Sequence, residues 1–273
     1  MSFIELSNVS FKYPGQDFLV LSEINLSIEK GEFISLCGAN SSGKTTLGRL
    51  INALLLPIEG KVIVDFLDAK IQSNVIPIRK KVGMIFQNPD NQIVATTVEE
   101  EVAFGPENLC LPSAEIRERV ERALSITGLK DYRNYPPHLL SGGQKQLLAI
   151  ASVLAMEPDC IIFDEPTSLL DPSNRRIVIN KIKELNDNGM TVLLITHRME
   201  EVLLSKKVIV LKDGKITFTG SPLDLFSLNT KALIELNLYP PEIVQIINKL
   251  REKGLYIPKE IVNSVDLVNY ICQ

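Results

Sequence analysis

The sequence has no tryptophan, only four cysteines, no excess of positive charge and no long apolar run. Cys37, Cys110, Cys160 and Cys272 stand far apart, which excludes the short paired spacing of a zinc site or a redox dithiol. They are expected to be small buried hydrophobes of a reducing cytosol. Lys plus Arg total 29 against 33 Asp plus Glu, and the net charge of −4 provides no electrostatic footprint for general binding to nucleic acid or anionic lipid. The longest nearly apolar stretch, Leu147 to Met156, falls short of the roughly 18 to 20 residues a membrane span needs. The first residues, Met1 to Gly15, alternate apolar and polar types and read as a strand, not as a signal peptide. A soluble chain is expected, unless a partner holds it at a bilayer. With 45% apolar against 23% charged residues the composition is that of a globular protein, and 273 positions suggest one large domain or one domain with an appendage.

Strands are expected around a Pro14-Gly15 turn between Phe3 and Ile28, then at Phe33 to Cys37, Val82 to Phe86, Cys160 to Phe163 and Thr191 to Ile195. Helical periodicity covers Ser113 to Ile126, Gln144 to Ala155 and Ser173 to Asn186. This alternation predicts a mostly parallel sheet covered on both faces. Asp213-Gly214 between two apolar runs signals a hairpin. Composition shifts after Gly220-Ser221-Pro222, and Ile243, Ile246, Ile247 and Leu250 then form one helical stripe. A tail of about 45 residues is too small for a core of its own, so this stripe is expected to be covered by the main body or by another subunit.

Gly38-Ala39-Asn40-Ser41-Ser42-Gly43-Lys44-Thr45 fits G-x-x-x-x-G-K-[ST] between an apolar strand and a helix, with Thr46 continuing into that helix. In this pattern glycines let backbone N–H groups converge on phosphate, Lys44 bridges the outer phosphates, and Thr45 reaches Mg²⁺. The strand Cys160 to Phe163 ends in Asp164 and Glu165. Asp164 is placed to hold Mg²⁺, and Glu165 to accept a proton from attacking water.

Leu140-Ser141-Gly142-Gly143-Gln144 reads LSGGQ and lies just ahead of the Asp164-Glu165 strand, so residues 1 to about 225 resemble the ATP-binding-cassette (ABC) ATPases. The resemblance implies an α/β P-loop nucleotide-binding domain of ABC type. That domain, residues 1–225, would have an antiparallel β subdomain and a helical subdomain, followed by a small C-terminal helical domain at 226–273 that serves in dimerisation. It implies a head-to-tail pair in which Ser141, Gly142, Gly143 and Gln144 of one subunit close over nucleotide held by the other. Tyr13 matches the aromatic that stacks on adenine, Gln87 the glutamine that senses Mg²⁺ and the attacking water, and His197 the histidine that contacts the terminal phosphate. Ser168-Leu169-Leu170-Asp171 resembles the loop that crosses the dimer interface. Ser41, Leu147 and Arg198 depart from the commonest family pattern, and Ser41 makes positive φ less accessible in the phosphate loop.

The run from Phe86 through Gly105, with Leu250 to Gly254 and Ile257-Pro258, is similar to the ATPase subunits of energy-coupling-factor importers. That resemblance implies ATP hydrolysis powering uptake of a vitamin or transition-metal ion. The implied partners are a second ATPase (identical or not), a transmembrane coupling subunit and a membrane substrate-binding subunit, with no nucleic acid. The implied location is the cytoplasmic face of the cell membrane. A soluble ABC ATPase without transport would normally carry two cassettes or a coiled-coil insertion. A regulatory subunit without turnover would be expected to lack Glu165 or His197.

Overall fold

Phe33-Ile34-Ser35-Leu36-Cys37, Cys160 to Asp164 and Thr191 to Ile195 are buried at every position, as strands covered on both faces must be. They form the centre of a six-stranded sheet in a computed structural model that describes residues 2–228, 230–258, 260–262 and 264–272. In chain order the strands are β1 (Ile4–Phe11), β2 (Leu21–Ile28), β3 (Phe33–Cys37), β4 (Glu59–Val64), β5 (Leu67–Asp68), β6 (Val82–Ile85), β7 (Cys160–Asp164), β8 (Thr191–Ile195), β9 (Lys207–Lys212) and β10 (Lys215–Gly220). The large sheet runs β10-β9-β3-β8-β7-β6, parallel except for the β9–β10 hairpin at Asp213-Gly214. A second, antiparallel sheet runs β2-β1-β4-β5.

The helices are α1 (Lys44–Ile51), α2 (Val75–Lys81), α3 (Val98–Asn108), α4 (Ser113–Thr127), α5 (Gly142–Leu154), α6 (Pro172–Asp187), α7 (Met199–Val202), α8 (Pro222–Phe226), α9 (Thr230–Glu235), α10 (Glu242–Glu252) and α11 (Ser264–Ile271). Leu47, Leu50 and Ile51 of α1 fill the space between the two sheets with Ile4, Leu26 and Ile162. On the opposite face of the large sheet, α3 to α6 pack through Val102, Leu124, Leu148 and Ile182 onto Phe33 and Phe163. Parallel pairing brings the C-terminal ends of β3, β6, β7 and β8 to one edge, where open α/β sheets bind ligands.

The tail differs from its expected arrangement. Leu233, Leu238 and Val244 join Leu225 and Phe226 in a cluster with Cys37 and Met199 of the main body. Ile247 is buried instead in a small cluster with Ile257, Ile261 and Leu267, against which Ile243 and Leu250 pack. Of the expected stripe only Ile246 stays outside, half exposed. The 3.6-residue period places it about 100° from Ile247 and farther still from Val244, outside both buried directions. Position 225/226 falls inside α8, which follows β10 through Ser221. Cys37 and Cys160 are buried as expected, whereas Cys110 and Cys272 are exposed, because each lies beyond the end of a helix.

Candidate active site

The phosphate loop leaves β3 at Gly38, whose φ of +143° and closeness to Leu211 exclude a side chain: a Cβ there would stand 2.0 Å from the Leu211 carbonyl oxygen. Ser41 adopts φ +63° despite its side chain, so the departure at this position does not stop the left-handed turn. Gly43, at φ +103°, precedes α1, and no side chain caps that helix. Its first N–H groups and positive end are therefore left to an anion. Lys44 is buried, and its Nζ donates to the carbonyls of Gly38 (3.0 Å) and Ala39 (2.8 Å). Burial pushes the Lys44 pKa below the ordinary lysine value, with Glu165, Cys37 and Asp164 opposing. Ser42 Oγ is buried without a partner in the same loop.

Thr45 Oγ1 donates to Asp164 Oδ1 at 2.9 Å, joining the start of α1 to the end of β7. Burial raises the Asp164 pKa above the usual carboxylate value; the Thr45 hydrogen bond opposes this, and the neighbouring Glu165 charge adds to it. Glu165 follows at φ +49°, a strained conformation for a residue with a side chain, and its N–H donates to the Ile195 carbonyl at 2.9 Å. Its carboxylate accepts from Gln87 Nε2 at 3.3 Å and lies 3.3 Å from His197 Nδ1. Gln87 also donates to Ser168 Oγ at 3.2 Å. Glu165, His197 and Gln87 thus meet, although they leave β7, β8 and β6.

A cleft of about 530 Å³ is lined by Tyr13, Asn40, Ser41, Gly43, Lys44, Thr45, Thr46, Gln87 and Glu165. Tyr13 OH shares a 3.0 Å hydrogen bond with Thr46 Oγ1, and its ring stands edge-on to Phe11 at 5.0 Å. Gln16, Phe18 and Val20 line the same cleft without having been anticipated; nothing in their local pattern separates them from an ordinary loop. A neighbouring cleft of about 700 Å³ shares Asn40, Gln87 and Glu165 and adds His197, Ser168 and the tail residues Asn237 to Pro240. The tail's approach to this edge was likewise unmarked in the sequence.

Ser141 to Gln144 line neither cleft. Ser141 caps α5, accepting from Gln144 N at 3.3 Å, while Gln144 Oε1 accepts from Ser141 N at 2.9 Å. Ser141 and Gly142 are exposed, and Gly143 packs so closely on Asn174 that a Cβ would fall 2.3 Å from Asn174 Oδ1. The LSGGQ segment is thus a rigid, outward-facing helix start, separate from the phosphate loop of its own chain.

Residues 21–168 match the family described as ABC transporter. Over its full length the chain is 49% identical to the energy-coupling factor transporter ATP-binding protein EcfA1 of Caldanaerobacter subterraneus subsp. tengcongensis, covering all of that protein. It is 46% identical to EcfA of Methanosarcina acetivorans, over 96% of this chain and 94% of that one. Among solved structures, cbiO1 from Clostridium perfringens, described as part of the ABC transporter complex cbiONQ, superposes with a TM-score of 0.78 at 33% identity, covering 90% of this chain and 99% of that one. The ATP-binding cassette MJ0796, a dimer in a post-hydrolysis state bound to ADP and Pi, superposes with a TM-score of 0.71 at 32% identity over 80% of this chain and 98% of that one. With the fold, the phosphate loop and relatives of matching length in agreement, the chain belongs to the ABC transporter family, as a transport ATPase of the energy-coupling factor ATP-binding group.

Proposed function

We propose that this chain hydrolyses ATP to drive a membrane importer of the energy-coupling-factor type for a vitamin or transition-metal ion, working at the cytoplasmic face of the membrane. The observation that carries the mechanism is the meeting of Glu165, His197 and Gln87 beside the Lys44–Thr45–Asp164 group. Tyr13 offers its ring to adenine, and residues Gly38 to Thr46 hold the phosphates through Lys44 and the free N–H groups of α1. Glu165 takes the proton of a water that Gln87 orients, and His197 holds the Glu165 carboxylate and reaches the terminal phosphate.

Among the described residues no cluster of three or more His, Cys, Asp or Glu side chains could cage a metal. A Mg²⁺ ion that keeps waters and phosphate oxygens needs no such cage, and the hydroxyl of Thr45, the carboxylate of Asp164 and the amide oxygen of Gln87 are the hard donors it accepts. Bound there, it would neutralise charge on the transferred phosphoryl group.

The outward-facing Ser141, Gly142, Gly143 and Gln144 complete the cleft of a second ATPase, head to tail. Residues 226–273 help hold that pair, a reading supported by the exposed Tyr256, Val265, Val268 and Ile271 on the tail. The transmembrane coupling subunit docks on a groove of about 380 Å³ lined by Leu54, Met84, Phe86, Gln92 and half-exposed Phe104. No helix of the described residues is long and apolar enough to cross a membrane. In this reading a transmembrane coupling subunit and a membrane substrate-binding subunit supply the membrane-embedded parts. Asp90 is held by Lys145 of α5 at 2.7 Å, which links the segment after Gln87 to the LSGGQ helix.

Glu165→Gln tests the catalytic reading. Binding of ATP should persist while turnover falls by about 10²-fold or more. Turnover within about threefold of the parent chain would remove Glu165 from the base position.

A further inference from the structure

We propose that Glu201 is a positioning residue that clamps the turn carrying His197 to the turn carrying Glu165. The proposal rests on the catalytic reading of Glu165 and His197 and adds a residue that neither motif contains. Glu201 lies on α7 and is 4% exposed, with no lysine or arginine paired to it among the described residues. Its carboxylate accepts the hydroxyl protons of two buried threonines instead: Thr167 on one oxygen and Thr196, at 2.6 Å, on the other. Thr167 sits between Glu165 and Ser168; Thr196 directly precedes His197.

Each threonine is itself tied into its turn. Thr196 Oγ1 accepts from Arg198 N at 3.0 Å, so the hydroxyl that Glu201 holds also closes the backbone around His197. Thr167 O accepts from Leu170 N at 3.2 Å, while Ser168 Oγ, next along, bonds the Glu165 carbonyl at 3.0 Å. Met199 and Val202 on either side of Glu201 are buried against Cys37 and Val208, which anchors α7 to the large sheet. A carboxylate buried without a cation costs several kcal/mol unless hydrogen bonds replace its water. Thermodynamic support alone would be served by an apolar side chain. What the carboxylate adds is one rigid group with two acceptors, spanning two turns that the backbone joins only through β8 and α6. The 3.3 Å separation of His197 Nδ1 from Glu165 Oε2 depends on both turns keeping their place.

The test uses the full-length chain and Glu201→Ala and Glu201→Gln variants. In Glu201→Ala, kcat should fall by about 10- to 100-fold, the effect of a displacement near 1 Å, while affinity for a non-hydrolysable ATP analogue stays within about threefold. Glu201→Gln, which keeps the shape and bonds both hydroxyls after one turns round, should recover most of the rate. The chain has only two histidines, so proton NMR resolves the His197 ring from His138. Its resonances should move in Glu201→Ala and lie near their original positions in Glu201→Gln. If Glu201→Ala does not fold, Thr167→Val and Thr196→Val remove one hydroxyl each and carry the same expectations. A rate loss with an unmoved His197 resonance, or an unchanged rate, would overturn the proposal. Should Glu165→Gln retain turnover, the base reading falls by itself, and the His197 resonance still reports whether Glu201 holds the turn.

Discussion

His197 Nδ1 lies 3.3 Å from Glu165 Oε2 because their strands are parallel neighbours in fixed register: Asp164 of β7 pairs with Ile195 of β8. Both residues leave the same sheet edge just past that matched pair. The hydrogen bond from Glu165 N to the Ile195 carbonyl continues the ladder one step beyond the strands. Sheet register therefore sets where the two turns begin, and the hydrogen bonds that hold those turns complete the approach of the two side chains.

Lys44 donates its ammonium to two carbonyls and is desolvated by burial, which places a positive charge at the floor of the cleft. Lys44→Ala is expected to weaken a non-hydrolysable ATP analogue about 10- to 100-fold, in line with about 1.5–3 kcal/mol for a hydrogen bond to a charged group. Calorimetric titration checks this, and unchanged affinity would place Lys44 outside the phosphate site.

Asp164 has a folded-state pKa raised mainly by burial. Relative to an uncharged residue, its destabilising effect is absent below the unfolded-state value of about 3.9 and fully present once pH exceeds the raised folded value. Asp164→Asn should therefore raise the melting temperature of the nucleotide-free chain at pH 7.5, and the gain should shrink as pH is lowered through the folded value. The same variant should lose Mg²⁺-dependent turnover. A melting difference independent of pH would contradict the burial account.

Gly142 and Gly143 are neighbours with different surroundings. A Cβ on Gly142 would meet Leu170 Cδ2 at 3.5 Å, an ordinary contact, whereas one on Gly143 would overlap Asn174, which Asp171 holds in place. Gly143→Ala is expected to destabilise the chain by about 1–3 kcal/mol through overpacking, and Gly142→Ala by less. Urea unfolding of both variants provides the comparison; equal stabilities would mean that α5 and α6 separate freely.

Leu238 and Ile247 sit in different clusters of the tail. Leu238→Ala should lower the stability of the main body by about 2–5 kcal/mol, because it belongs to the buried cluster that contains Cys37 and Met199. Ile247→Ala should loosen only the last residues. Hydrogen exchange of β3 and α7 distinguishes them: faster exchange is expected for the first substitution and unchanged exchange for the second. Truncation after Ser227 would remove Leu233, Leu238 and Val244 from the cluster they form with Cys37, Met199, Leu225 and Phe226, so it should destabilise the cassette as well as weaken pairing.

The elements around the site were legible wherever a local rule fixed them. Continuous apolar runs marked the buried strands β3, β7 and β8, and the Gly38 to Thr45 spacing marked the phosphate loop because its chemistry demands those residues in that order. Helical periodicity from Gln144 to Ala155 marked α5, to within two residues of its start at Gly142. The two faces of α10 were not legible: Val244 and Ile247 share one apolar pattern but turn to different clusters, a choice made by segments far along the chain. Glu201 gave no signal either, since an acid on a short helix reads as a solvated surface residue until Thr167 and Thr196 are seen beside it.

By itself the sequence determined which groups this protein can bring to a nucleotide: a lysine and hydroxyls in a glycine loop, two carboxylates at a strand end, a glutamine and a histidine after two further strands. Those choices are local, because backbone freedom and side-chain chemistry over a few residues specify them. Only the tertiary structure decided their meeting. The register of β6, β7 and β8 brings Gln87, Glu165 and His197 to one edge, the packing of Asn174 on Gly143 sets α5 against α6, and the tail folds back beside the second cleft. Each of these depends on contacts between residues distant in the chain, whose strength lies in burial and pairing that no single segment contains.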